Sequence, residues 1–201
     1  MLTSHNGSSL VVDRLCDQAR GQNTAISCFY FVFAARKQQS ATSVLGSLVK
    51  QMVSAMERIP EGISRAFQDQ KTTIGGFKPQ LVDIVKMIQA ITTSQLTFIC
   101  IDAIDEYTRV KRLRFLDSLK EILQQSPGTR IFVTGRPHIR TEAESRIAGQ
   151  VATISVSSIR GDITRYIRFR LAHDETPDAM DENLKADIPE QIPENMSEMC
   201  A

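Results

Sequence analysis

Four short apolar runs dictate what this chain folds into: residues 26–33 (ISCFYFVF), 96–101 (LTFICI), 130–134 (RIFVT) and 151–156 (VATISV). Each is nearly continuous in apolar character and bounded by polar or turn residues. That is the signature of a parallel strand covered on both faces, not of an antiparallel strand with one wet side. Parallel neighbours need long crossovers, and the intervening stretches carry helical stripes. Ser40 or Thr42 caps a helix with Val44, Leu45, Leu48, Val49, Met52, Val53 and Met56 on one face, ended by Pro60. Pro79 forms the first turn of the next, through Leu81, Ile84, Val85, Ile88 and Ile91. A third runs through Leu113, Leu116, Leu119 and Leu123 to a stop at Pro127-Gly128. A fourth carries Ile159, Ile163, Tyr166, Ile167 and Leu171, with Asp162 near its start. Leu10, Val11, Val12 and Leu15 suggest a helix near the N-terminus, and Ile74-Gly75-Gly76 reads as a loop between two helices of a long insertion. Strands alternating with helices imply an α/β fold with a parallel sheet and right-handed crossovers.

Composition narrows the class. A chain of 201 residues with 42% hydrophobic and 23% charged residues is an ordinary globular domain, not a disordered polyelectrolyte or a disulfide-stapled miniprotein. The net charge of +1 hides a split. Residues 1–173 carry 23 basic and 14 acidic side chains (+9), whereas residues 174–201 carry one basic and nine acidic (−8). The acidic segment contains Pro177, Pro189 and Pro193 and has room for a short helix near residues 179–186. Cys16, Cys28, Cys100 and Cys200 are scattered, with no CxxC pair, which points to a reducing compartment and a cytoplasmic setting. No run is long enough for a signal peptide or a membrane span.

The chemistry is concentrated in residues 96–107 (LTFICIDAIDEY). An apolar strand ends in Asp102, and Asp105 and Glu106 follow. In open α/β sheets ligands collect at the carboxyl ends of strands. A carboxylate there holds Mg²⁺ through its water shell, and a second acidic group orients or deprotonates an attacking water. This is the Walker B arrangement of nucleotide hydrolases. The plainer alternative is a solvated acidic turn. The next strand ends in Gly135-Arg136-Pro137, which places an arginine at the same sheet edge, where it can sense a γ-phosphate. Its plainer alternative is a surface arginine paired with Glu106.

Other chemistries find little support. His5, His138 and His173 are far apart, with His138 read as a surface helix start, and no nucleophile triad stands out. Two basic helix faces, with Arg109, Lys111, Arg112 and Arg114 and with Arg160, Arg165, Arg168 and Arg170, read as solvated amphipathic faces that include Phe115 and Phe169, and not as a nucleic-acid surface.

The succession CFYFVF, SVLGSLVKQM, FICIDAIDEY, RIFVTGRP and DITRYIRFRL resembles the NACHT domain of fungal NOD-like receptors. That group is close to the nephrocystin-type N-terminal domain and the heterokaryon-incompatibility proteins. The resemblance spans most of residues 9–173. It implies a STAND-class P-loop NTPase that binds ATP or GTP with Mg²⁺ and works as an oligomerising switch. It also implies roles: Asp102 for the metal, Asp105 and Glu106 for hydrolysis, Arg136 for sensing the nucleotide.

The family pattern begins with a strand and G-x-x-x-x-G-K-[ST], whose amides and lysine cradle phosphates. No such motif occurs in the 201 residues. In residues 2–9 (LTSHNGSS), Gly7 and Ser9 match, but Leu2 and Ser8 stand where the first glycine and the lysine belong, so the stretch reads as a capping turn. The expectation is therefore a partial P-loop NTPase sheet with flanking helices, truncated before Walker A and lacking the central P-loop strand. Residues 1–24 form the helix after the expected P-loop position, residues 25–173 the partial core, and residues 174–201 an acidic connector. Such a chain binds nucleotide weakly or not at all. Expected partners are further copies of itself or full-length NACHT proteins, with no membrane. The alternatives are a non-catalytic interaction or decoy module, or a gene-model fragment without independent function.

Overall fold

The computed structural model describes residues 6–56, 58–72, 79–147, 151–156, 160–174 and 180–199. The chain divides into two compact units, Met1–Val151 and Ala152–Ala201.

The first unit is built on three parallel strands, β1 (Thr24–Tyr30), β2 (Leu96–Asp102) and β3 (Thr129–Val133), in the order β1-β2-β3. β1 and β2 run in register from Thr24 opposite Leu96 to Tyr30 opposite Asp102, and Ile101 lies opposite Val133 of β3. Helix α1 (Asn6–Ala19) packs on β1 and β2. The first crossover contains α2 (Ala41–Ser54), α3 (Glu61–Thr72) and α4 (Leu81–Thr92), and the second is α5 (Arg109–Gln125). Val44, Leu48, Met52, Ile88 and Ile91 meet Ile99 and Ile101 of the central strand and Phe115 and Leu119 of α5 in one core. The α/β reading holds because three of the four apolar runs have neighbours to pair with.

The fourth run does not. Residues 151–156 form no strand and are exposed at every position, with Ile154 at 84% and Val156 at 92%. β-branched composition favours a strand only where a ladder partner completes it, and among the described residues no strand ladder includes this segment. β1 also stops short of residue 33. Its partner β2 has no residue beyond Asp102 to offer, so Phe31 donates its N–H to the Asp102 carbonyl at 3.0 Å and the chain enters a one-turn helix at Phe33–Ala35.

Ser40 is the N-cap of α2, accepting the Ser43 N–H at 3.1 Å while its own N–H donates to the Ser43 hydroxyl at 2.8 Å. The helix ends at Ser54, ahead of Pro60, and the residues after Pro60 form α3, a helix the periodicity did not reveal. Pro79 precedes the N-cap Gln80 of α4 and does not lie within its first turn. α1 starts at Asn6, so Gly7, Ser8 and Ser9 are helical and not part of a capping turn. Residues 2–5, Ile74-Gly75-Gly76 and Ile159 lie outside the described residues.

On the outer flank of β1, a side chain meets the ladder groups of Cys28. From α2, the Gln51 amide donates to the Cys28 carbonyl at 2.8 Å and accepts the Cys28 N–H at 2.9 Å, as a neighbouring strand would. Cys28 lies opposite Cys100, so cysteines distant in sequence become neighbours, yet both are free thiols. Burial pushes the Cys100 thiol up to about 11 and raises Cys28 as well.

The second unit contains α7 (Arg160–Ala172) and α8 (Glu182–Met199), which pack on each other; α6 (Arg140–Arg146) belongs to the first. α8 is longer than the expected short helix and carries Pro189 and Pro193 within it. The Asp181 carboxylate accepts the Leu184 N–H at 2.7 Å near its start. Among the described residues no helix is long and apolar enough to cross a membrane.

Candidate functional site

Parallel strands place their carboxyl ends on one rim, and β2 delivers Asp102 there. Ala103 then takes a left-handed backbone, φ 52° and ψ 47°, a conformation that costs a residue with a Cβ about 1–2 kcal/mol. The sharp turn buries Ile104 and sets Asp105 and Glu106 in a single helical turn on the rim. Thr134, just after β3, stitches this turn to the sheet. Its hydroxyl donates to Asp102 Oδ1 and accepts the Ala103 N–H at 3.0 Å. Its backbone N–H donates to the Ile101 carbonyl at 2.9 Å, and its carbonyl accepts the Ile104 N–H at 3.0 Å.

Arg136 faces this turn. Its Nε lies 3.3 Å from Asp105 Oδ2 and its Nη2 3.2 Å from Glu106 Oε1, while its backbone N–H donates to Asp105 Oδ1 at 3.2 Å. The carboxylates are the buried partners: side-chain exposure is 6% for Asp105, 23% for Glu106 and 70% for Arg136. Gly135 permits the approach, because a Cβ there would lie 3.0 Å from Ile139 Cδ1 and 3.2 Å from Ile104 Cγ2. Asp102, Asp105, Glu106 and Arg136 thus line one open depression of about 440 Å³, with Phe31, Val32 and Phe33 on its β1 side. His138 stands in the turn Pro137–Ile139, exposed and outside the depression.

The family model described as Nephrocystin 3, N-terminal matches residues 6–136, well over half of the chain. The chain belongs to the nephrocystin 3 N-terminal family. The match runs from the first residue of α1 to Arg136, so it takes in all four candidate residues. No curated protein and no solved structure matches the chain.

The nephrocystin-type domain braces its rim with residues that the sequence presented as solvated. Arg112 is only 8% exposed: its Nη1 donates to the Tyr107 carbonyl at 2.8 Å, and its Nε pairs with Glu142 of α6. Hydrogen bonding from Arg112, reinforced by Arg109, holds the Glu142 carboxyl below its ordinary range. Lys111 donates to three carbonyls after β1, those of Arg36, Lys37 and Gln39, at 3.1, 3.1 and 3.0 Å. Phe115, also read as solvated, is fully buried against Phe31 and Tyr107. The buried Tyr107 stacks on Phe31 at 4.5 Å, and burial pushes its hydroxyl up to about 12. The signal for Arg112 was there: it falls on the stripe with Phe115, Leu116, Leu119 and Ile122, displaced from the one drawn through Leu113 and Leu123.

The carboxylates suit Mg²⁺ in one respect. Mg²⁺ takes one or two carboxylate oxygens and keeps several waters, and Asp102 has Oδ2 left over from its bond to Thr134. Among the described residues no three His, Cys, Asp or Glu side chains form a group that could hold a metal by themselves.

Proposed function

We propose that this nephrocystin-type domain carries the hydrolytic half of a NACHT-class P-loop NTPase, from a fungal NOD-like signalling protein whose intact relatives bind ATP or GTP with Mg²⁺ as an oligomerising switch. The observation that carries the reading is the meeting of Asp102, Asp105, Glu106 and Arg136 at one rim, from two boxes about thirty residues apart in sequence. Asp102 would hold Mg²⁺, which supplies charge neutralisation for phosphate oxygens. Glu106, with Asp105, positions and deprotonates water. Arg136, bound to both carboxylates, is poised to exchange them for a γ-phosphate. The phosphate cradle is the part the residues do not supply, since the 201 residues contain no G-x-x-x-x-G-K-[ST]. By itself the chain binds nucleotide weakly. Calorimetric titration with Mg·ATP and Mg·GTP should give no micromolar binding, and a micromolar constant would overturn that statement. Wherever a turnover rate is measured, Glu106→Gln should lower it by about 100-fold or more; an unchanged rate removes Glu106 from its role.

A second reading, a non-catalytic module that pairs with full-length NACHT proteins, is favoured by the flank of β3, which has no strand beside it among the described residues. Co-purification with such a relative tests it.

A further inference from the structure

Along the strands, the sheet brings two soft ligands together. Cys28 of β1 and Cys100 of β2 are register partners on adjacent parallel strands. Directly opposed residues point to the same face. Their chain neighbours Phe29, Ile99 and Ile101 face the core beneath α2, α4 and α5, so both thiols stand on the opposite face. Cys100 is 3% exposed, Cys28 is half-buried, and both are free thiols. The Cys28 Sγ–H donates to Gln51 Oε1 at 3.8 Å, and Tyr30, two residues on along the same face, hydrogen-bonds the Cys28 side chain. Cys16 of α1 lies near enough to act on both thiols electrostatically, but among the described residues no group of three ligands forms around a metal position.

The spacing decides which chemistry the pair suits. Side chains of a sheet stand roughly perpendicular to it, and neighbouring strands lie about 4.8 Å apart. A disulfide needs its sulfurs about 2.05 Å apart, so both side chains would have to lean together. A metal–thiolate bond is about 2.3 Å long, so a linear sulfur–metal–sulfur unit spans about 4.6 Å, nearly the strand spacing. Two donors do not satisfy tetrahedral Zn²⁺, which takes four. They do satisfy a soft monovalent cation with a filled d shell, and thiolates select Cu(I) among the biological ones. We propose that Cys28 and Cys100 form a two-coordinate thiolate site for Cu(I). On binding, two S–H bonds break and two S–Cu bonds form; both protons leave to solvent, and the ion keeps its oxidation state. The hydrogen bond from Tyr30 to Cys28 supports the sulfur charge from outside the ligand pair. The inference is independent of the nucleotide reading.

The test is Cu(I) titration of the full 201-residue chain, reduced and without oxygen, in competition with the chelator bicinchoninate. Cys16→Ser/Cys200→Ser leaves Cys28 and Cys100 as the only cysteines. That double variant should take one Cu(I) per chain from a tenfold excess of chelator. X-ray absorption of the loaded double variant should count two sulfur neighbours at the metal, a readout that needs no change at the pair itself. In the same background Cys28→Ser should weaken binding at least a hundredfold. Cys100 is buried, so Cys100→Ala is made beside Cys100→Ser, and both should weaken binding as much. A double variant that takes no Cu(I) from the chelator overturns the inference, as does binding that survives Cys28→Ser or Cys100→Ala. A count of three or four neighbours at the metal also overturns it, because it means that the strand pair is not the site.

Discussion

At one flank of the sheet, the Gln51 amide meets the Cys28 N–H and C=O of β1; at the other, Ile131 and Val133 of β3 present the same kinds of group with no strand beside them among the described residues. One side chain twenty-three residues away meets both ladder groups of Cys28. β3 pairs with β2 along its length, and just past its carboxyl end Thr134 adds bonds to Ile101, Asp102, Ala103 and Ile104. The rim carries the candidate chemistry, which demands fixed carboxylates. The β3 flank carries the main-chain groups of Ile131 and Val133, which no strand meets among the described residues.

Four substitutions or conditions would break or sharpen that contrast. The largest effect is expected on the rim, from Arg112→Met. It strands a largely buried Glu142 and the Tyr107 carbonyl, and should cost about 3 kcal/mol by urea unfolding. A loss under about 1 kcal/mol would mean that Arg112 does not hold the rim. Gln51→Ala comes next. Losing both bonds to Cys28 should cost about 2 kcal/mol and make the amide of Cys28 exchange as fast as those of Ile131 and Val133. If Cys28 stays protected, the two flanks are not finished differently.

Gly135→Ala should cost about 1 kcal/mol, because a methyl group must push Ile104 and Ile139 aside. It should also loosen the approach of Arg136 to Asp105, visible as a chemical-shift change of the Arg136 amide. The smallest effect is that of pH on the Arg112–Glu142 latch. The Glu142 carboxyl lies below its ordinary 4.5 in the folded chain, so the stability it contributes is present above pH 4.5 and is lost as pH falls through the folded value. Glu142→Gln should therefore differ from wild type by a constant amount between pH 6 and 8, and the gap should narrow under acid. A gap that widens under acid would reverse the sign and exclude the latch.

Much of the rim was legible before any coordinates. The runs that became β1, β2 and β3 are apolar over lengths that suit buried parallel strands, and the residues just after them stand at the rim wherever the strands pair. Asp102, Asp105, Glu106 and Arg136 needed no more than that to meet. The braces were not legible, because a basic residue on a helix reads as solvated unless its stripe is known. Arg112 is buried by its place beside Phe115, and Lys111 is occupied by carbonyls more than seventy residues away. Residues 151–156 misled for the opposite reason: their composition is that of a strand, but composition supplies no partner.

By itself, the sequence determined which segments were apolar enough to become strands and which charged residues would stand at their carboxyl ends, because burial and chain continuity are local. Only the tertiary structure decided which strands formed, which edge groups a side chain meets and which arginine was buried. Ladder bonds and ion pairs join residues twenty to thirty positions apart or more, and their free energy exists only once both partners are in place.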